Sequence, residues 1–423
     1  MNKSEGKWVS SYGWVVVGAG AAITLIVYGI NYSFAVFFKP LLQSFQWSRG
    51  QTSFIWAANW MTFSVLALLI GPLTDRFGAR RTMMAGSVLF SLGILFSSRA
   101  TSLLHLSLLF GMLGSVGFVS TLLPLVVTVA RWFDRRQGLA LGLAQSFNTG
   151  MLVISPLVAW LVTHYGWQKT FLVLGMLALV LVVPLTGLIR EPNKITKNRS
   201  QERWLSDMSQ DFHFRPALRT RTFWSLKLMV LGCCTSHSFL LLHLVNYLSD
   251  HGLTIGFAAM LYGLLGISST LGRIANGLCA DRFGAKPAIA CFLFAQGLGV
   301  LLFLRPDRLG ILYLGIIIWG IAQGGPMSCY PMLYRKYFGT RYLATLMGSF
   351  YAVGGLGMTL GGLLGGVFYD VSGSYHVSFA ISLAGGVGAA IIAMTLQPPN
   401  RSFVEGHKKI LQSPRAGLQS LTG

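Results

Sequence analysis

The chain has 423 residues, of which 53% are hydrophobic and only 11% are charged. A soluble domain carries about 25% charged residues, so this composition leaves too little polar surface for a water-exposed globule and argues against a soluble enzyme or a disordered chain. The net charge is +21, which in a soluble protein would indicate nucleic-acid binding, so the positions of the charges have to decide its meaning.

Twelve apolar segments are long enough to cross a membrane, since a helix needs about 20 residues to span about 30 Å of hydrocarbon. They lie at 12–39, 51–72, 80–98, 102–130, 137–163, 170–190, 223–249, 256–280, 286–304, 309–334, 342–369 and 375–396. We predict an all-α membrane protein with twelve transmembrane helices, numbered here as spans one to twelve, in two pseudo-symmetric six-helix bundles. The predicted domains are an N-terminal bundle (1–190), a cytoplasmic linker (191–222), a C-terminal bundle (223–397) and a cytoplasmic tail (398–423).

The distribution of basic residues predicts the orientation in the membrane. Most of the 33 Lys and Arg residues lie at the N-terminus, in the loops that follow even-numbered spans, or in the C-terminal tail. The loops on the other side carry Lys39, Arg49, Arg99, Lys169, Arg305 and Arg308. Because cytoplasmic loops carry an excess of Lys and Arg, we expect both termini in the cytoplasm and the protein in the plasma (inner) membrane. The orientation in the membrane then explains the positive net charge, and no nucleic-acid partner is expected.

The two halves of the chain repeat. GPLTDRFGAR (71–80) recurs as GLCADRFGAK (277–286), and Tyr32-Ser33-Phe34 recurs at nearly the same separation as His237-Ser238-Phe239. Internal repeats of this kind are typical of transporters in which two bundles rock around a central binding site.

The motif between spans two and three, GPLTDRFGARR, resembles the signature loop of the major facilitator superfamily, G-x-L-x-D-R-x-G-x-[RK]-[RK], and it occurs in both halves. RWFDRRQGLALGLAQSFNTG (131–150) and YSFAVFFKPL (32–41) resemble the monocarboxylate porters of that family, as does an arginine inside span eight. The bacterial oxalate/formate antiporter branch shares these features. The resemblance implies the major facilitator fold and secondary transport of small carboxylates.

Three departures from the family pattern limit what the resemblance implies. The animal porters carry a lysine where this chain has Tyr32, and an aspartate four residues before the arginine, where this chain has Ser269. The oxalate antiporters carry a lysine in span eleven, and 342–369 contains none. We therefore expect a single carboxylate rather than a dicarboxylate as substrate.

Arg273 is a basic residue that lies inside a predicted span and not in a loop. It lies eight residues before Asp281 at the end of span eight, so at 1.5 Å per residue it is about 12 Å inside the membrane. An arginine there costs at least about 2.5–3.5 kcal/mol, and its planar fork matches a carboxylate. The twelve acidic residues fall in loops, tails or span ends, so substrate is the expected counter-ion; a buried acid or helix-end carbonyls are the alternative.

Other polar residues inside the spans are candidates for binding substrate or the transported proton. His237 and His243 could do both, because histidine titrates near neutral pH, although either could simply bond to a backbone carbonyl. The remaining substrate-binding candidates are Tyr28, Tyr32, Asn148, Ser269, Asn276, Tyr330 and Tyr351, with Asn59, Gln145 and Gln323 as further possibilities. Individually, each such residue more often forms an inter-helix hydrogen bond.

The paired DRFG loops are predicted gating elements. Their charged residues, together with arginines after span four, could form ionic latches that break during closure; the candidates are Asp75, Arg76, Arg135, Arg136, Asp281 and Arg282. Gly78 and Gly284 should adopt positive φ. No phosphate-binding loop, zinc motif or catalytic motif is present, so no cofactor, metal site or enzyme activity is expected.

Together these features predict a secondary transporter of small monocarboxylates of the lactate or pyruvate type. It would be a proton symporter that works by alternating access, and a monomer would suffice. Within the same class, an organic anion exchanger or a drug or metabolite exporter is the alternative. Outside the class, a non-transporting membrane sensor is the alternative, and a membrane enzyme is the least favoured reading.

Overall fold

The computed structural model describes residues 3–133, 140, 143–144, 150–191, 214–339 and 343–399. These residues form helices and no β-strand. Among them, ten helices are long and apolar enough to cross a membrane, which confirms the predicted helical membrane fold.

The helices follow the predicted order. In the first half they are Lys3–Tyr32 and Phe34–Phe45 (span one), Arg49–Phe77 (two), Ala79–Ser97 (three), Leu103–Leu106, Ser107–Gly114 and Ser115–Trp132 (four), and Gly150–Leu177, Ala178–Val182 and Val183–Gly187 (five and six). A short helix, Phe214–Ala217, precedes the second half. There the helices are Arg221–Asp250 (seven), Ile255–Phe283 (eight), Ala285–Gly299 and Val300–Leu304 (nine), Leu309–Gly324 and Pro326–Phe338 (ten), Leu343–Ser372 (eleven) and His376–Thr395 (twelve).

Two local features reconcile the ten long helices with the twelve predicted spans. Helix Ala79–Ser97 is span three, and it falls outside the ten because it begins with two arginines, Arg80 and Arg81. Spans five and six run together as one segment, Gly150–Gly187. Gly166 interrupts that segment with φ 80° and ψ 166°, a conformation that essentially only glycine adopts, and so separates the two spans.

The repeated DRFG motif folds in the same way in both halves. Gly78 and Gly284 have φ of 84° and 92°, which confirms the predicted positive φ. Each glycine ends one long helix and lets the next begin one residue later, at Ala79 and at Ala285.

Glycines let spans eight and ten pack backbone against backbone. A Cβ atom on Gly272 would overlap the carbonyl oxygen of Ile321, and one on Gly324 would overlap the carbonyl oxygen of Ser269. Small residues at helix interfaces are the usual device for such close approach in membranes. Span eight, and Arg273 next to Gly272, is therefore held firmly against span ten.

The first six spans meet the last six along spans two and eleven. A Cβ atom on Gly355 would lie 2.9 Å from the Cβ of Ser64, and Trp56 Nε1 donates to Ser238 Oγ of span seven at 3.3 Å. The hydrogen bonds across this boundary cluster towards the end of the bundle that carries the connections at 46–50, 250–254 and 372–376, called here the Asp250 end.

Gly272→Ala should destabilise the protein, because the added methyl group forces spans eight and ten apart. Overpacking of this kind costs about 1–3 kcal/mol, so we expect a lower midpoint of thermal unfolding in detergent.

Gly277→Ala is the matched control on the same helix, since no atom of the described residues lies within 4 Å of a Cβ placed there. It should leave the midpoint unchanged or raise it slightly, because alanine favours a helix by about 0.5–1 kcal/mol. Equal midpoints for the two variants would contradict this account of the packing.

Candidate functional site

Arg273 interacts with side chains from both halves of the chain. Its guanidinium group interacts electrostatically with the hydroxyl groups of Tyr28 and Tyr32 from span one and of Tyr351 from span eleven. Arg273 and Tyr351 keep partly accessible surface, although both lie within membrane-spanning helices. These four sequence candidates therefore lie together, around a cation that an anion can approach.

An aromatic cluster forms the wall next to these tyrosines. The rings of Tyr28 and Tyr32 stack with centroids 5.8 Å apart. Around them lie Trp56, Trp60, Phe63 and Phe118, which link spans one, two, four and eleven through ring contacts of 4.7–6.5 Å. Such a wall can cover the apolar part of a small ligand while Arg273 binds its charge.

Trp60 is a site residue that the sequence analysis missed. Its indole Nε1 is buried and has no hydrogen-bond partner among the described residues. Buried indole N–H groups usually find a partner, so this donor is available to a ligand. The sequence signal was the i, i+4, i+7 spacing of Trp56, Trp60 and Phe63, which alone is indistinguishable from ordinary helix packing.

A break in span one positions Tyr32. The helix ends at Tyr32 and resumes at Phe34, and the hydroxyl of Ser33 donates to the carbonyl of Ile30 at 2.7 Å. On the other side, Tyr262 of span eight donates to the carbonyl of Leu241 at 2.6 Å, and its hydroxyl lies 3.4 Å from the carbonyl oxygen of Tyr32. Spans one, seven and eight are thus joined beside the Arg273 site.

Three other candidates on spans eight and ten are fully buried in the second half. Ser269 packs against Gly324, and Asn276 lies beside Cys329, so both face span ten. The ring of Tyr330 packs 4.7 Å from that of Phe350. Among the further possibilities, Asn59 donates to the carbonyl of Phe110 at 3.3 Å, an inter-helix bond, and Gln323 is buried.

The two candidate histidines of span seven lie in different surroundings. His237 is 5% exposed, and its Nδ1 lies 3.9 Å from the Sγ of Cys233. His243 is fully buried near the Asp250 end, where its Nε2 lies 2.9 Å from the carbonyl oxygen of Gly362. The structure therefore groups His243 with residues of that end.

The predicted gating residues are described only in part. Arg76 and Arg282 are exposed, and each lies over the phenylalanine that follows it, at 5.3 Å and 5.4 Å. Asp281 is exposed, and Asp75 lies in the last turns of its helix. The remaining candidates in this region fall outside the described residues; they are Arg135, Arg136, Gln145 and Asn148.

Lys227 is a second buried cation, which the sequence analysis did not single out. It lies in span seven, is 5% exposed, and donates to Ser349 Oγ at 2.6 Å. Its ammonium lies 4.7 Å from the ring centroid of Phe223 and 5.1 Å from that of Tyr334. Among the described residues, both salt bridges involve Asp250 and neither involves Lys227.

The hydroxyl of Tyr334 is also buried, without a hydrogen-bond partner among the described residues. Lys227 and Tyr334 thus offer two further donors to an anion. Ser349, which contacts Lys227, lies two residues before Tyr351, which lies near Arg273. The two positions are therefore about 3 Å apart along the axis of span eleven. No group of three His, Cys, Asp or Glu side chains among the described residues could hold a metal ion.

Comparison with known sequences identifies the family to which these features belong. The profile described as Major Facilitator Superfamily matches residues 20–346 and 270–422. Monocarboxylate transporter 13 from Bos taurus is 28% identical over 396 residues, which cover 93% of this chain and 90% of that protein. Monocarboxylate transporter 12 from Homo sapiens is 26% identical over 409 residues, which cover 89% of this chain and 78% of that protein.

Solved structures show the same fold. A D-xylose–proton symporter aligns with a TM-score of 0.72 and 16% identity, over 92% of this chain and 98% of the symporter. A bacterial homologue of the human lysosomal transporter Spinster aligns with a TM-score of 0.69 and 16% identity, over 90% of this chain and 94% of the homologue. At these identities the likeness establishes the architecture.

Lys227→Met should weaken binding of a small carboxylate several-fold without lowering the midpoint of thermal unfolding. Methionine keeps the apolar length of the side chain, while removing a buried charge relieves its desolvation cost. Both quantities can be measured on the purified protein, by calorimetric titration and by thermal unfolding. A lower midpoint with unchanged carboxylate affinity would mean that Lys227 is purely structural.

Proposed function

Because the chain belongs to the major facilitator superfamily, we propose that it is a secondary transporter that moves small monocarboxylates of the lactate or pyruvate type together with a proton. The observation that carries the proposal is the arrangement of Arg273 with three neutral phenols and an aromatic wall inside the bundle. The names of the similar monocarboxylate transporters support the same substrate class.

In this proposal the substrate carboxylate binds the guanidinium of Arg273 through two parallel hydrogen bonds. Tyr28, Tyr32 and Tyr351 supply hydroxyl groups, and the free indole N–H of Trp60 supplies one more donor for a carboxylate or hydroxyl oxygen. The aromatic rings cover the short carbon skeleton. A single carboxylate matches the single arginine at this position.

Transport would follow from rocking of the two bundles, residues 1–190 and 223–397, around this site. The distribution of basic residues supports an orientation with both termini and the linker 191–222 in the cytoplasm. The proposal places the protein in the plasma (inner) membrane as a monomer. The Asp250 end then faces outside. Since this end is held together by contacts between the bundles, the described conformation would be open towards the cytoplasm.

The charge of Arg273 explains why substrate and movement would be coupled. Closing a cavity around the guanidinium removes water from the charge at a high cost, whereas a bound carboxylate neutralises it. The accompanying proton keeps the whole cycle electroneutral for a monovalent anion. His237, 5% exposed in span seven, or the substrate itself would carry that proton.

Arg273→Ala should abolish uptake of radiolabelled lactate into proteoliposomes, and Arg273→Lys should retain little. Lysine keeps the charge but loses the bidentate geometry, and hydrogen bonds to charged groups contribute about 1.5–3 kcal/mol, so the affinity should fall at least about tenfold.

Arg305→Lys, in an exposed loop, is the matched control and should transport at the unmodified rate. Wild-type uptake by Arg273→Ala would refute the proposed site.

An inward proton gradient should accelerate lactate uptake into proteoliposomes, and a protonophore should remove that acceleration. The reason is that the proton and the anion move together in a symporter. Uptake that depends on an internal carboxylate and is insensitive to the proton gradient would instead identify an anion exchanger.

A further inference from the structure

Four charged and aromatic side chains from distant parts of the chain lie around Arg49 at the Asp250 end. The guanidinium of Arg49 donates to the carboxylate of Asp250 and to the hydroxyl of Tyr375, and it lies 3.7 Å from the ring centroid of Tyr369. Lys39 Nζ lies 3.2 Å from Asp250 Oδ1. These contacts join spans one and two to span seven, to span eleven and to Tyr375, which directly precedes span twelve.

The carboxylate of Asp370 strengthens the same junction through the backbone. It accepts hydrogen bonds from the amides of Arg49 at 2.9 Å and Gly50 at 2.6 Å, the first residues of span two, where a helix favours negative charge. The side chains of Arg49 and Asp250 are 14% and 24% exposed. Their charges are therefore screened less by water than those of a surface pair.

His243 lies directly beneath this junction and is bonded to it. Its Nδ1 lies 3.3 Å from the Tyr375 hydroxyl, and its Nε2 lies 2.9 Å from the Gly362 carbonyl and 3.4 Å from Ser53 Oγ. A carbonyl oxygen can only accept, so Nε2 must carry the hydrogen and Nδ1 of the neutral ring must accept. Tyr375 therefore donates to His243 while it accepts from Arg49.

Tyr375 is suited to remain the donor in this arrangement. It lies between spans eleven and twelve, and burial raises the pKa of its hydroxyl above the ordinary value, although Arg49 acts in the opposite direction. The phenol stays neutral and keeps the proton that it shares with His243. An unbroken chain of hydrogen bonds then runs from Asp250 through Arg49, Tyr375 and His243 to Gly362.

We propose that His243 is a proton-binding site that controls the Asp250 end: the neutral ring holds this end closed, and protonation opens it. A proton on Nδ1 would turn the acceptor of the Tyr375 hydrogen bond into a donor, which leaves the buried hydroxyl hydrogen without its partner. This inference rests on the proposed function for its physiological meaning, since acid outside the cell would then favour the outward-open state.

The charges around His243 act in the same direction. Span one contributes Lys39, span two contributes Arg49, and span eleven contributes Asp370. Span seven contributes Asp250, and His251 follows it directly, with its Nδ1 2.7 Å from the carbonyl oxygen of Tyr247. Two cations and two carboxylates balance one another, so an imidazolium at His243 leaves the cluster with excess positive charge.

The test is a distance measurement across the Asp250 end in the full-length protein. Spin labels are placed on cysteines at Gln43 and Ser372, which are exposed at the ends of spans one and eleven, after the exposed Cys291 and the partly exposed Cys279 are replaced by serine. Electron–electron resonance is recorded without any carboxylate at about pH 7.5 and about pH 5, the range in which histidine titrates.

The proposal predicts that acid raises the population of longer distances several-fold. His243→Gln should remove this response and remain closed, because glutamine can donate to Gly362 and accept from Tyr375 but cannot be protonated. His251→Gln is the control and should keep the response. Asp250→Asn should open this end at neutral pH, since it leaves Arg49 without its carboxylate.

A pH-independent distance in the unmodified protein, or an unchanged response in His243→Gln, would overturn the proposal. Because substrate is absent, these results do not depend on whether the protein transports lactate. The same measurement on Arg273→Ala separates the two ideas further: the acid response should persist there although transport is lost.

Discussion

The central site depends on a charge inside the membrane, the guanidinium of Arg273 in the eighth span. An arginine in a helix that crosses hydrocarbon is costly and cannot deprotonate, so the surrounding residues have to make its position tolerable. Tyrosine hydroxyls from spans one and eleven do this without adding a fixed negative charge. The site thereby keeps the capacity to bind an anion. In the proposed function, the affinity for substrate comes from the same charge that makes the empty site unfavourable.

At the Asp250 end, by contrast, the cations are paired with a carboxylate of the chain itself. There the cations Arg49 and Lys39 share the carboxylate of Asp250, and Asp370 accepts from the backbone amides of Arg49 and Gly50. These contacts join the two sets of spans. A transporter needs both arrangements. Its central site must bind and release a ligand, whereas contacts within the protein must keep one end of the bundle closed. In our proposal, His243 makes the Asp250 end sensitive to protons, independently of Arg273.

The fold was largely predictable, because span length, glycine turns and internal repeats can be identified directly in the sequence. Gly78 and Gly284 adopt the predicted positive φ, and Arg273 with Tyr28, Tyr32 and Tyr351 could be selected as polar groups inside apolar spans. What the sequence could not provide was the rotation of each helix. Ser269 faces span ten rather than the tyrosines, Lys227 is buried although it lies near a span end, and the partners of Arg49 come from residues more than two hundred positions away in the chain.

The most direct test of this account is a cryo-electron microscopy structure of the protein with bound pyruvate. The account predicts density for the carboxylate within hydrogen-bond distance of the Arg273 guanidinium, next to Tyr28 and Tyr351, with the methyl end against the aromatic wall. Pyruvate bound at another position, with Arg273 paired to a side chain of the protein in the same map, would contradict it.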